Sequence, residues 1–149
     1  MGQAARTGGV SEGMATFFVE KLCQEADFVL RICFALLLNT PNAQGAVQDI
    51  YQRLLPLLSE LLREDSTTIR ARLAKMAWEH CTNRKSQESD TTPLGNFLKT
   101  LKFEERGALV LIDEAGFSHD ETANIMGLNA DAVRQHLVNA RQALITNKI

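Results

Sequence analysis

The sequence is short of the features that mark membrane, secreted and strongly basic proteins. Its 149 residues include three cysteines, one tryptophan and three prolines, and the formal net charge is only −2. No apolar run approaches the roughly 20 residues that a membrane helix needs. The N-terminal segment also lacks the apolar middle of a secretory signal. These absences predict a protein of the cytoplasm that neither spans nor binds a membrane.

The motifs of common enzyme and metal sites are missing as well. The sequence has no glycine-rich phosphate loop, no G-x-S-x-G and no H-E-x-x-H. Its cysteines, Cys23, Cys33 and Cys81, lack C-x-x-C spacing. His80 and Cys81 are adjacent on a predicted helix, so their side chains point about 100° apart and do not easily face one ion. We therefore predict a non-enzyme with no metal, cofactor or small-molecule substrate, whose cysteines are buried free thiols.

What the sequence does contain is apolar residues spaced by three and four, which is typical of amphipathic helices. Helices are predicted over residues 17–38 and from Ala43, with a kink at Pro56, and a third after Asp65. Residues 86–95, SQESDTTPLG, are polar and aperiodic and predict a linker. No strand pattern occurs, so the expected fold is all-α with two small helical lobes. The predicted divisions are a flexible tail at 1–13, a three-helix lobe at 14–85, the linker at 86–95 and a helix-turn-helix lobe at 96–149.

The C-terminal segment carries the signals of a helix-turn-helix. Ser118 and Glu121 form an S-x-x-E capping box that predicts the start of a short helix. Gly127 suits the left-handed position after that helix, and Asn129 can cap a longer helix reaching about Thr146. The outer face of the longer helix would carry the candidate DNA-binding residues Arg134, Gln135, His136, Asn139 and Arg141.

This lobe has few positive charges for a DNA reader. Residues 96–149 contain six lysines and arginines against seven aspartates and glutamates, a formal charge of −1. Basic residues supply most of the non-specific affinity of proteins for DNA. An arginine such as Arg134 can form two hydrogen bonds with guanine, and a glutamine such as Gln135 can do so with adenine. The charge composition nevertheless predicts only weak DNA binding.

A longer pattern extends over residues 101–144. Its thirteen positions are Leu101, Arg106, Leu111, Gly116, Ser118, Glu121, Ala123, Gly127, Val133, Leu137, Ala140, Arg141 and Leu144. In this register the segment resembles region 4 of bacterial sigma-70 factors of the extracytoplasmic-function group. More faintly, RICFALLLNTPNAQGAVQDIYQRLL at residues 31–55 resembles region 2 of the same group. The resemblance implies that region 2 would bind RNA polymerase and open the promoter, and that region 4 would read its −35 element.

The sequence departs from that family where region 2 would meet its ligands. The family's acidic D-A-E-D cluster, which meets the polymerase, reads Asn42-Ala43-Gln44-Gly45. The family's asparagine that leads into the strand-opening segment is replaced by Glu79. The neighbouring Trp78 is expected to have a core or surface position rather than to hold unpaired bases. In these changes and in its short linker, the sequence resembles the sigma-mimic domains of general-stress regulators. Those domains bind an anti-sigma factor instead of DNA. The linker length favours lobes that pack together or close on a common partner.

Three interpretations of function follow. The first is a divergent sigma-like regulator that acts through contact with an anti-sigma factor or RNA polymerase. The second is a competent alternative sigma factor that binds core RNA polymerase and reads promoter DNA with its helix-turn-helix. The third is a small helix-turn-helix regulator of another family, because VRQHLVNARQAL is also similar to regulators of the LuxR type. For the first, which we prefer, the candidate partner-binding residues are Val47, Gln48, Tyr51, Leu54, Leu109 and Ile112.

Overall fold

A computed structural model describes residues 12–61, 63–84 and 87–147 of the chain. These ranges are helical and contain no strand, which confirms the predicted all-α fold. The helices are α1 (Glu12–Leu37), α2 (Thr40–Leu54), α3 (Leu58–Leu61), α4 (Ser66–Thr82), α5 (Pro93–Lys99), α6 (Phe103–Ala108), α7 (His119–Met126) and α8 (Ala130–Asn147). A 3₁₀ turn, Leu55–Leu57, joins α2 to α3, and a π-helix, Leu109–Glu114, continues α6. No helix in the described ranges is long and apolar enough to cross a membrane.

The boundaries of α2 show how proline acts at two different helix positions. Pro41 lies in the first turn, where its missing N–H costs nothing, and the Asn39 side chain caps that turn by accepting the amide of Asn42 at 3.0 Å. The three residues from Thr40, which were expected to separate the first two helices, therefore start α2. Pro56 lies in the 3₁₀ turn where α2 ends, as the predicted kink requires.

The helix-turn-helix has the predicted local structure. Ser118 accepts the amide of Glu121 at 3.0 Å, and the Glu121 carboxylate accepts the Ser118 amide at 2.8 Å. Gly127 ends α7 with φ at 70°, in the left-handed region that favours glycine. Asn129 caps α8 by accepting the amide of Ala132 at 2.8 Å. Four local signals in the sequence therefore fix the positions of α7 and α8.

The predicted burial of the cysteines is correct for two of the three. Cys33 on α1 and Cys81 on α4 are buried, whereas Cys23 is exposed. Phe28 is the first core residue among the side chains of α1 that the structure describes, and Cys23 lies five residues before it. Hydrogen bonding to Cys33, and then burial, raise the pKa of Cys81 well above its ordinary value. The Cys81 thiol therefore stays protonated at neutral pH and acts as a small apolar residue.

The two lobes pack against each other around a continuous core. Helix α4 packs on α7, and α1 packs on α6 and on the π-helix. The Trp78 ring, which is buried, lies 5.1 Å from the Phe103 ring between centroids. A Cβ atom at Gly107 would collide with the Trp78 indole, so the glycine is needed for this close approach. Trp78 therefore has a core position, in contact with Phe103 and Gly107 of the other lobe.

Two of the expected boundaries fall differently in the structure. Glu12 and Gly13, assigned to the flexible tail, lie in the first turn of α1, whereas residues 1–11 lie outside the described residues. Helix α5 starts at Pro93, within the expected linker of 86–95, because Thr92 caps it by accepting the amide of Gly95 at 3.0 Å. The connection therefore ends at Thr92, three residues earlier than the sequence indicated.

Candidate functional site

A groove with a volume of about 550 Å³ opens where the two lobes meet. This volume lies within the range of typical protein binding sites, roughly 300–1,000 Å³. Its apolar lining residues are Leu30, Phe34, Ala35, Ala43, Leu94, Phe97, Leu98, Leu109, Val110 and Leu144, and its polar ones are Arg31, Thr40, Asp113 and Glu114. We call this site the inter-lobe groove. Because α1 and α2 supply one wall and α5, the π-helix and α8 supply the other, the groove requires packed lobes.

The π-helix shapes one wall of the inter-lobe groove. The Ala115 amide donates to the Val110 carbonyl at 2.8 Å, five residues back, which widens the helical turn. Four of its six residues line the groove: Leu109, Val110, Asp113 and Glu114. Apolar spacing alone does not distinguish this segment from an ordinary helix. Since π-helical turns are rare and occur frequently at functional sites, this one marks the groove as a candidate site.

Ion pairs occupy the rim of the inter-lobe groove. Arg31 donates to Glu114 at 3.1 Å, which joins α1 to the π-helix, and to Asp27 at 3.2 Å. Arg141 binds Asp113 through two hydrogen bonds of 3.0 and 2.6 Å. The hydrogen bonds that Arg31 donates to Glu114, and then to Asp27, raise its pKa. The hydrogen bonds to Asp113 raise the pKa of Arg141. The rim carboxylates are thus already paired, and the interior of the groove offers mainly apolar contacts.

The candidate DNA-binding residues lie on the outer side of α8, and most of them bond within the chain. Arg134 donates to Asp131 at 2.8 Å, and Gln135 donates to Asn139 at 3.0 Å; all four residues are exposed. His136 is only half-buried, and its Nδ1 atom is buried with no hydrogen-bond partner among the described residues. Both arginines of this face are therefore paired with carboxylates, which lowers the positive potential available to DNA.

Removal of the carboxylate that holds Arg141 is expected to strengthen DNA binding. Asp113→Asn breaks the two charge-assisted bonds to Arg141, so the affinity for a 20-base-pair duplex of random sequence at low salt should rise about threefold. Fluorescence anisotropy of the labelled duplex measures this change. Asp120→Asn makes the same change in net charge at an exposed position of α7. Equal affinities for the two variants would show that pairing of Arg141 does not limit DNA binding.

The candidate partner-binding residues are placed only in part at the inter-lobe groove. Leu109 lines the groove, and Ile112 is half-buried against the core. Leu54 is 1% exposed and belongs to the core, so its expected role in partner contact is corrected. The remaining candidates lie on α2 outside the groove: Val47, Gln48 and Tyr51. Burial raises the pKa of Tyr51 to about 12, so its hydroxyl stays neutral at neutral pH.

Two exposed leucines of the inter-lobe groove were not identified from the sequence. Leu94, in the first turn of α5, is 53% exposed, and Leu144, near the end of α8, is 38% exposed. Leu144 was named only as the last position of the region 4 pattern. The sequence did contain a signal for Leu94. It is the one large apolar residue in the polar segment SQESDTTPLG, which indicates a contact with residues outside that segment.

Comparisons with known proteins agree with this architecture. Residues 92–144 match the family model for sigma-70, region 4. The fold is similar to that of the sigma factor RpoE from Bartonella quintana, solved in complex with the anti-sigma factor NepR. The TM-score is 0.72 at 17% identity, over 86% of this chain and 94% of that one.

A second solved structure, CnrH in complex with the cytosolic domain of CnrY, gives a TM-score of 0.70 at 18% identity. The match covers 87% of this chain and 85% of CnrH. No curated protein sequence matches significantly. The region 4 match favours the first two interpretations over the third, a helix-turn-helix of another family. Residues 92–144 are therefore similar to sigma-70 region 4, and the fold of the chain is similar to the folds of RpoE and CnrH.

Proposed function

We propose that this protein is a sigma-like transcription regulator that works by protein contact, with an amphipathic helix of an anti-sigma factor bound in the inter-lobe groove. The observation that carries this proposal is an apolar groove whose walls come from both lobes. A helix bound there contacts the region-2-like and the region-4-like lobe at once. Both similar structures were solved with an anti-sigma factor or a cytosolic partner domain, which supports the same class of partner.

The chemistry of the inter-lobe groove favours an apolar helix face as its occupant. Ten of its lining residues are apolar, and its rim carboxylates, Asp113 and Glu114, are already paired with arginines. A charged segment would have to displace those pairs, whereas apolar side chains at positions i, i+3, i+4 and i+7 of a helix would bury the exposed leucines. A protein helix therefore matches the groove better than a charged ligand does.

The second candidate function is that of a competent sigma factor that reads promoter DNA. The exposed polar residues of α8 on an intact helix-turn-helix favour it. The paired state of Arg134 and Arg141, together with the formal charge of −1 over residues 96–149, weakens it. Protein contact is therefore the better supported function for this chain.

Capture of the binding partner tests the proposal and separates the two functions. The tagged full chain is purified from the cells that express it, bound proteins are identified by mass spectrometry, and each pair is rebuilt from purified components. We expect a stable one-to-one complex with an anti-sigma protein. Core RNA polymerase bound to the chain, with transcription from a specific promoter, would support the second function. Failure of every captured protein to bind the purified chain would contradict both.

A further inference from the structure

A buried arginine lies at the point where the two lobes and their connection meet. The Arg106 side chain is 6% exposed. Its Nε atom donates to the Leu98 carbonyl at 2.8 Å, and its Nη1 atom donates to the Leu36 carbonyl at 3.0 Å and to Glu88 Oε2 at 2.6 Å. Leu98 lies in the last turn of α5 and Leu36 in the last turn of α1. Glu88 lies in residues 87–92, which lead into α5 and are called here the connecting segment. One guanidinium therefore holds three separate segments together.

The cation is well placed for these acceptors. The last carbonyl groups of a helix lack partners within the helix and carry a partial negative charge. Leu36 and Leu98 lie in the last turns of α1 and α5, so the guanidinium of Arg106 faces the negative ends of two helices. Glu88 supplies the full negative charge that balances the cation, and it is the most accessible of the three partners, with 34% of its side chain exposed.

The connecting segment is also bonded to the junction of α1 and α2. The Leu38 carbonyl accepts the amides of Ser89 at 2.9 Å and Asp90 at 3.0 Å, and the Asn39 side chain donates to the Gln87 carbonyl at 2.8 Å. Leu38 has φ at 52°, a conformation that leucine rarely adopts. Its buried surroundings hold it there, and its carbonyl receives the connecting segment.

We propose that Glu88 and Arg106 form a latch that holds the two lobes closed and so keeps the inter-lobe groove assembled. Leu98 accepts from the latch arginine and also lines the groove, while Leu36 follows the lining residue Ala35. Separation of the lobes would divide the groove, because its walls come from both of them. A partner that binds in the groove therefore cannot bind to the open form. The closure itself is independent of the proposed function, whereas its effect on partner binding rests on that function.

Glu88→Gln in the full chain tests the latch by amide hydrogen exchange. The amides of Ser89 and Asp90 report opening directly, because both bond to Leu38 only while the connection is docked. Loss of the charge-assisted bond should increase their exchange rates about tenfold. Glu104→Gln, an exposed site two residues from Arg106, is the matched control and should leave these rates unchanged. The Leu137 amide, at a buried position in the middle of α8, controls for global unfolding.

The result distinguishes the latch from general stabilisation. Faster exchange confined to the connecting segment, with a larger radius of gyration in small-angle scattering, supports the latch. Exchange that rises equally at Leu137, or rates equal to those of Glu104→Gln, overturns it. Titration with the partner isolated by capture then tests the coupling. If Glu88→Gln opens the lobes and partner affinity is unchanged, the latch stands and the groove is not the docking site.

Discussion

Leu94→Asp is expected to weaken binding of the captured partner at least about tenfold, which corresponds to roughly 1.4 kcal/mol. Leu94 is half-exposed in the free protein and lines the inter-lobe groove. A bound helix would remove it from water, and a carboxylate in its place would be desolvated without a partner. Isothermal titration calorimetry with the purified pair measures the change. The substitution should preserve the fold, because an acidic residue is favourable in the first turn of a helix.

Leu55→Asp provides a matched control for this experiment. Leu55 is also an exposed leucine, 63% accessible, but it lies in the 3₁₀ turn after α2 and does not line the inter-lobe groove. Both variants remove the same side chain and add the same charge. Binding should therefore fall in Leu94→Asp and remain close to wild type in Leu55→Asp. Equal losses in the two variants, or none in either, would contradict the assignment of the groove.

Local signals in the sequence predicted the helices well because each depends on a few neighbouring residues. The capping box at Ser118 and the left-handed Gly127 determine α7 whatever the rest of the chain does. The apolar spacing of α8 likewise identifies Val133 and Leu137, which are fully or almost fully buried. Such signals gave the fold class and the helix-turn-helix directly.

The inter-lobe groove could not be predicted in the same way because it depends on how the lobes dock. Apolar spacing marks a residue as inward-facing, but it does not distinguish a lobe core from a wall between two lobes. Leu144 and Leu54 illustrate the difference: both follow helical spacing, yet Leu144 lines the groove and Leu54 is core. The π-helix was equally hidden, since its pattern matches an ordinary helix until Ala115 bonds five residues back.

The paired arginines and the packed lobes favour the same type of function. Arg141 is held by Asp113, a residue of the groove rim, so the outer face of α8 and the inter-lobe groove share one ion pair. A partner helix that contacts Asp113 therefore also affects how Arg141 is held. The surface that would read DNA is thus connected to the surface that would bind protein.

Arg106→Met is expected to lower the free energy of unfolding by about 2–4 kcal/mol, because it removes three hydrogen bonds from a buried site. Methionine fills much of the same space, so packing contributes little to the loss. Most of the lost stability comes from the buried Leu36 carbonyl, which no longer has this donor, and from the Glu88 carboxylate, which no longer has its counter-ion. Since Glu88 is one-third exposed, water compensates part of its loss, and the estimate stays below the full cost of breaking a buried ion pair.

Arg134→Met separates this effect from simple loss of an arginine. Within the described residues Arg134 pairs with the exposed Asp131 alone, so urea unfolding followed by circular dichroism should detect a change of at most about 0.5 kcal/mol. Arg106→Lys keeps the charge but has no planar fork to reach three acceptors at once, so its stability should fall between wild type and Arg106→Met. If Arg106→Met loses no more stability than Arg134→Met, the buried guanidinium does not hold the lobes together. If Arg106→Met loses much stability and Arg106→Lys restores part of it, both the charge and the planar geometry of the guanidinium hold the lobes together.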